Sequence, residues 1–183
     1  MKCQQCKRRE ALRIHRQLCR PCLMRLAESA VKHSIGIKVL IKKQKQLVFA
    51  DDGTADSKLL GRVLKKMFGD YPIRAKVARV RNDGDVRKLA KTYDKIMIAG
   101  SIEAELDKFL AALVSKQGKT RKAAIISPLK KFTAAEISYL AGRTVGKLKK
   151  KRASGSLGAF LEAAERRYPG SKFALLKSSE RLS

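Results

Sequence analysis

The sequence predicts an α/β protein, a parallel sheet with helices on both faces, preceded by a small cysteine-rich module. Three observations predict it. From residue 46 onward, short apolar runs alternate with amphipathic stretches, the pattern of strand–helix units rather than of a bundle or a sandwich. All four cysteines fall within the first 22 residues. Hydrophobic residues make up 44% of the 183, enough to close the core of one ordinary domain plus a small appendage.

Cys3, Cys6, Cys19 and Cys22 form the pattern C-x2-C-x12-C-x2-C. Two such knuckles supply four thiolates, the complement of a closed tetrahedral zinc site. Lys, Arg and His residues lie between the pairs and favour the thiolate form. An iron centre and disulfides are the competing readings. A cytosolic chain disfavours disulfides, and so short a segment with little apolar content takes its order from metal. Beside four thiolates, His15 and His33 read as solvated bases. Four protein ligands leave no open position, so the site reads as structural.

Leu23, Leu26, Ala27, Ala30 and Val31 then recur at helical spacing and predict a helix leading out of the module. Ile35-Gly36-Ile37 and the basic stretch Lys38 to Lys45 make the transition. Gln46 to Ala50 is an apolar run ending in Asp51-Asp52-Gly53, the look of a buried parallel strand before a turn. Ser57 to Phe68 carries Leu59, Leu60, Val63, Leu64 and Met67 on one helical face. Ile73 to Val80 reads as a second strand, with Ala75 and Val77 alternating with basic residues, followed by a short helix over Asp85 to Tyr93. Lys95 to Gly100 is a third strand, and Ile102 to Val114 a helix with Ile102, Leu106, Phe109, Leu110 and Leu113 inward. On that helix Glu103, Glu105 and Asp107 read as a solvated acidic face. Ala123 to Ser127 is a fourth strand cut by Pro128. Thr133 and Glu136 have the spacing of a capping box for a helix through Leu140. Arg143 to Ser156 reads as a mobile basic loop, and Leu157 to Arg167 as the last helix, closed by Tyr168-Pro169-Gly170.

Charge speaks to partners. Lys and Arg number 43 against 16 Asp and Glu, a formal charge of +27, and such a field favours a polyanion, most often nucleic acid. The charge is clustered: 12 Lys or Arg lie between Lys116 and Arg152 against Glu136 alone, and Glu10 and Glu28 are the only acids between Lys2 and Lys45. Phosphate contacts are expected from Lys119, Arg121, Lys122, Lys130, Lys131, Arg143, Lys147, Lys149, Lys150, Lys151 and Arg152. Only 5% of residues are aromatic and Trp is absent, so contacts to backbone and shape are expected rather than stacking on unpaired bases. No apolar run approaches the roughly 20 residues of a membrane span. Met1 leads straight into Lys2 and Cys3 without a leader-like stretch, so a cytoplasmic location is expected.

The first strand-to-helix turn, where helix amides bind phosphate, reads Phe49-Ala50-Asp51-Asp52-Gly53-Thr54-Ala55-Asp56-Ser57-Lys58. Here the chain resembles the PP-loop ATP pyrophosphatases, whose turn reads S-G-G-x-D-S between an apolar strand and a leucine-rich helix. The closest resemblance is to the cytoplasmic tRNA 2-thiolation branch, which opens with a paired C-x2-C finger. Ile98 to Ser101 with Glu103, Glu105 and Leu106 is similar to that branch's A-T-G-H-N-x-D-D-E segment. Ile126-Ser127-Pro128-Leu129 with Glu136 and Tyr139 is similar to its R-P-L…E…Y element. Phe160-Leu161-Glu162, Arg167 to Gly170 and Phe173 to Ser178 are similar to its C-terminal helix, P-G turn and tail. The resemblance covers nearly the whole chain. It implies a zinc finger over residues 1–26, a connecting helix and basic linker over 27–45, and a Rossmann-like domain of the PP-loop (HUP) type over 46–183.

The departures bear on activity. The family's leading Ser is Asp52, its second Gly is Thr54 and its Lys is Ala55, while the usual His after Gly100 is absent. If a nucleotide site is retained, Asp52, Gly53, Thr54, Asp56, Ser57 and Gly100 are the residues left to form it. The carboxylates of Asp51 and Asp52 would repel phosphate unless a metal bridges them, which puts ATP with Mg²⁺ in doubt. The family's internal C-x2-C and its later partner Cys, which serve an iron–sulfur cluster or a thiol pair, have no counterpart beyond Cys22. The resemblance therefore implies a degenerate, non-catalytic tRNA-binding subunit, working beside a catalytic PP-loop subunit or as a homodimer. Two alternatives stand beside it: an active adenylating enzyme with a divergent loop, and a basic zinc-containing RNA- or ribosome-binding protein.

Overall fold

A computed structural model describes residues 1–8, 10–11, 16–36, 47–68, 76–115, 124–142 and 156–182. Its first helix, α1 (Arg20–Ile35), begins inside the second cysteine knuckle, with Cys19 at the N-cap and Pro21 in the first turn. That proline position suits a helix start, because its missing N–H would be unpaired anyway. Gly36 closes α1 in the left-handed conformation, at φ 60°, and its amide donates to the carbonyls of Lys32 and His33. Leu23, Ala27, Val31 and Ile35, four residues apart, are fully buried. Leu26, expected inward, is exposed, because the face that meets the core follows the four-residue row and Leu26 lies off it.

Strands β1 (Leu47–Asp51), β2 (Lys76–Arg79), β3 (Lys95–Ile98) and β4 (Ala124–Ile126) form one sheet in the order β2-β1-β3-β4. All pairings are parallel, with Phe49 beside Val77 on one side and Met97 on the other, and Met97 beside Ile126. The intervening helices are α2 (Ala55–Phe68), α3 (Asp83–Thr92), α4 (Ile102–Ser115) and α5 (Ala134–Leu140), followed by α6 (Ser156–Arg167) and α7 (Ser171–Leu182).

Alternation along the central strands sorts the core into layers. Leu47, Phe49 and Met97 face α1, α2 and α5 and share a cluster with Leu59, Leu60, Val63, Leu64, Leu129, Phe132 and Ile137. Val48, Ala50 and Ile96 face the other way, against Val86, Leu89 and Ala90 of α3. Each such fully buried Leu, Ile or Phe stabilises the fold by about 1.5–3 kcal/mol. Leu23, Ala27, Val31 and Ile35 hold α1 against this core.

One further expectation is refined and one is corrected. Val77 is 67% exposed, while Ala78 and Val80 face α3. The period of two places Lys76, Ala78 and Val80 on the covered face, and β2 is an edge strand whose other face is left uncovered at Val77 by the described residues. Helix α6 is not the last: the segment expected as a tail is α7, whose Phe173, Leu175 and Leu176 pack with Ile102, Leu106 and Leu161 of α4 and α6. The proposed loop from residue 143 to 155 and the linker over 38–45 lie outside the described residues, as do Ile73 to Ala75.

Glu165 starts α7: its carboxylate accepts from the amides of Gly170 and Lys172 and from the Ser171 hydroxyl. Burial raises its pKa, but these donors outweigh burial and hold it below the ordinary 4.5. A depressed folded-state pKa stabilises above the unfolded value and is lost as pH falls through the folded one. The thermal midpoint should therefore fall as pH drops below about 4.5. In Glu165→Gln that acid-side fall should be shallower, and equal slopes in the two proteins would remove Glu165 as a cause.

Candidate metal centre and strand-end crevice

Each cysteine pair sits in a short turn tied by backbone bonds. The Lys7 amide donates to the Cys3 carbonyl at 2.9 Å, with Lys7 in the left-handed region at φ 59°. The Gln4 amide donates to the Gln17 carbonyl at 2.9 Å and joins the two knuckles. Cys3, Cys19 and Cys22 are buried and Cys6 is half-buried. Their four sulfurs lie within 4.8 Å of one another, with Cys6 and Cys19 at 3.7 Å. A single tetrahedral ion with metal–sulfur bonds of about 2.3 Å sets its sulfurs about 3.8 Å apart. The residues fit one metal ion.

Their electrostatics point the same way. The Cys6 amide, opposed by burial and joined by the amides of Cys19 and Gln5, brings the Cys3 thiol down to about 6. Burial, together with the neighbouring sulfurs, pushes Cys22 up to about 12. Four clustered thiols resist ionising together, and a bound divalent cation reverses that cost. Cys22 lies in the first turn of α1, where the helix dipole also favours negative charge.

The second candidate follows from topology. The chain leaves β1 to either side, so the switch point lies between β1 and β3, and ligands of such sheets bind outside those strand ends. After β1 comes the turn Asp52 to Ser57. Asp52 Oδ1 accepts from the Thr54 amide at 3.0 Å, the Thr54 hydroxyl at 2.7 Å and the Ser57 hydroxyl at 2.5 Å. Asp51 Oδ1 accepts from the Gly53 amide at 2.8 Å, and Thr54 Oγ1 from the Ser57 amide at 3.3 Å. Gly53 makes the turn possible at φ 75°. Burial raises the Asp52 pKa, but the hydroxyls of Ser57 and Thr54 outweigh it and lower the group below its ordinary value. Two amides of the turn, those of Gly53 and Thr54, thus already serve the chain's own carboxylates.

The end of β3 is similarly occupied. Glu105 Oε1 accepts from the Ser127 hydroxyl at 2.9 Å. A Cβ added at Gly100 would lie 3.2 Å from that same oxygen, so glycine lets the carboxylate sit against the strand end. Glu103 meets the Lys172 ammonium at 3.1 Å and accepts from the Ala134 amide at 3.0 Å. Glu103 and Glu105 are therefore not the solvated face expected for them, since they tie α4 to its neighbours, whereas Asp107 is exposed.

Of the basic residues expected to meet phosphate, Lys130 and Lys131 lie among the described residues. Lys130 pairs with Glu180 at 2.7 Å, and the Lys131 carbonyl accepts from Arg16 at 2.7 Å. Lys119, Arg121, Lys122, Arg143, Lys147, Lys149, Lys150, Lys151 and Arg152 lie outside the described residues. Tertiary structure adds a patch not found in the sequence. Arg79, Arg81, Arg87, Lys88 and Lys91 are exposed along β2 and α3, with no ion pair among the described residues. Interleaved Asp83, Asp85 and Asp94 hide it in linear order, although the helical spacing of 87, 88 and 91 was a usable signal.

No protein-family model matches the chain, and no curated protein does. A solved structure does: the U34-tRNA thiolase NcsA from Methanococcus maripaludis with its [4Fe-4S] cluster. The TM-score is 0.71 at 15% sequence identity, covering 100% of this chain and 87% of that one. The likeness is one of fold, a parallel sheet with helices around it. No helix among the described residues is long and apolar enough to cross a membrane.

Proposed function

We propose that this chain is a cytoplasmic tRNA-binding subunit of wobble-uridine 2-thiolation that does not itself activate the uridine. Its four cysteines hold zinc, its basic surfaces hold the tRNA backbone, and a catalytic PP-loop subunit or a second copy completes the assembly. The observation that carries the reading is Asp52, whose carboxylate engages the amide and hydroxyls of the turn where the resembling enzymes place pyrophosphate. The fold likeness to a U34-tRNA thiolase supports the RNA assignment. That thiolase carries a [4Fe-4S] cluster. Such a cluster sets its thiolates on separate irons, which spreads the sulfurs apart. Four sulfurs within 4.8 Å favour one ion, and four thiolates around one ion favour zinc.

A carboxylate about 4 Å from a phosphate costs about 1 kcal/mol per unit charge in water and about 4 at an effective dielectric of 20. Asp52 is exposed, so the lower part of that range applies, about one to two decades of affinity. The isolated chain should release no AMP from ATP above background with Mg²⁺ and tRNA present. AMP release that Asp56→Ala abolishes would overturn the non-catalytic reading, and magnesium bridging of Asp52 is the physical route to that result.

A further inference from the structure

The cysteine module reaches into the α/β domain with two arginines, one on each side of Cys19. The Arg16 guanidinium donates to the Lys131 carbonyl at 2.7 Å and lies over the rings of Phe132, at 5.0 Å, and Phe173, at 5.6 Å. It also faces Glu136 at 3.6 Å, and the Glu136 side chain is completely buried. Glu136 holds the start of α5: its Oε2 accepts from the Thr133 amide at 2.9 Å, and its own amide donates to the Thr133 hydroxyl at 3.2 Å. At the other end of α5, Arg20 donates to the Leu140 carbonyl at 3.1 Å. One short helix is thus gripped at both ends by side chains of the module, and α7 is touched through Phe173.

We propose that the metal ion in the module controls the order of α5 and α7 through Arg16, which acts as a positioning residue. Arg16 and Arg20 each lie within three residues of Cys19, and the Leu18 amide donates back to the Arg16 carbonyl at 2.8 Å. Four ligands on one ion hold this stretch in place, and a segment with so little core of its own loses its shape when they let go. Withdrawal of Arg16 then leaves the Glu136 carboxylate buried without a counter-charge, a costly state that loosens the helix start. The pair is already sparsely bonded, since Arg16 Nη1 and Glu136 Oε1 are buried without a hydrogen-bond partner among the described residues. A lysine at this position would substitute poorly, because a planar fork that stacks and donates at once is particular to arginine.

This inference rests on a metal being held by the four cysteines, and one experiment separates the two failures. Hydrogen–deuterium exchange is followed on the full chain by mass spectrometry, with metal content measured on the same samples. The samples are wild type as purified, wild type treated with a strong chelator, and Arg16→Met and Arg16→Lys as purified. Amides over 133–140 and 171–176 should exchange roughly tenfold faster or more after chelation and in Arg16→Met, while 47–51 and 95–98 keep their protection. Arg16→Met should still hold its metal. Arg16→Lys should fall between it and wild type, and it carries the test if Arg16→Met does not fold. Faster exchange confined to residues 3–22, or loss of protection throughout the chain, would overturn the proposal. So would metal-loaded variants indistinguishable from wild type. Wild type without metal would instead overturn the metal reading.

Discussion

Cys19→Ser should abolish metal binding and unfold the segment between Cys3 and Cys22 while the sheet survives. Cys19 is one of four sulfurs packed within 4.8 Å, it stands at the N-cap position of α1, and its amide donates to the Cys3 sulfur at 3.3 Å. Structural zinc sites in small modules carry about 10–16 kcal/mol of apparent binding free energy, most of which is folding free energy. Among the described residues the module's own apolar cluster is the cysteines with Ala11 and Leu18, far too little to replace that contribution. The sheet has an independent core, built on Phe49, Met97, Leu59 and Leu60. Metal analysis should fall from about one ion per chain to near zero, with most of the far-ultraviolet helical signal retained. A metal-free protein whose residues 3–22 stay protected from exchange would show that the thiols order themselves. Iron with a visible charge-transfer band in the wild type would replace zinc with an iron centre.

Binding to tRNA should weaken steeply with salt, at a log–log slope of roughly −4 to −7 for about five to eight neutralised phosphates. The cause is counterion release from RNA by a chain of charge +27. Changing Lys149, Lys150, Lys151 and Arg152 together to Ala should flatten the slope by several units and lower affinity most at low salt. Changing Arg87, Lys88 and Lys91, on the exposed face of α3, tests the second patch in the same assay. A slope unaffected by the first change would mean that the run merely faces solvent. A slope that responds only to the second would move the RNA path to β2 and α3. Titration against a range of salt concentrations decides both, since phosphate contacts alter the slope and packing defects do not.

Much of the molecule was legible in linear order because its signals are local. The C-x2-C spacing names a four-thiolate site, since two residues between ligands suit one knuckle around one ion. Thr133 and Glu136 announce a capping box, and both of its hydrogen bonds form. Leu59, Leu60, Val63, Leu64 and Met67 mark the buried side of α2, and all five are buried. Apolar runs between such helices announce a parallel sheet, because buried strands need no polar alternation. The sequence by itself therefore determined the class of the fold, the four sulfurs and the polyanion-seeking charge. What only the tertiary structure decided depends on partners distant in sequence. Val77 faces out because β2 lies at the edge, which no local pattern records. Glu103 and Glu105 leave solvent because Lys172, Ala134 and Ser127 arrive from other elements. Asp52 stands out in the sequence as a carboxylate in the first strand-to-helix turn, and only the folded loop shows it accepting from the Thr54 amide and from the Thr54 and Ser57 hydroxyls. Arg16 looks like one more solvated base among many. Only long-range packing places it between Phe132, Phe173 and a buried glutamate, because a charge that close to a carboxylate and two rings requires three segments to converge on it.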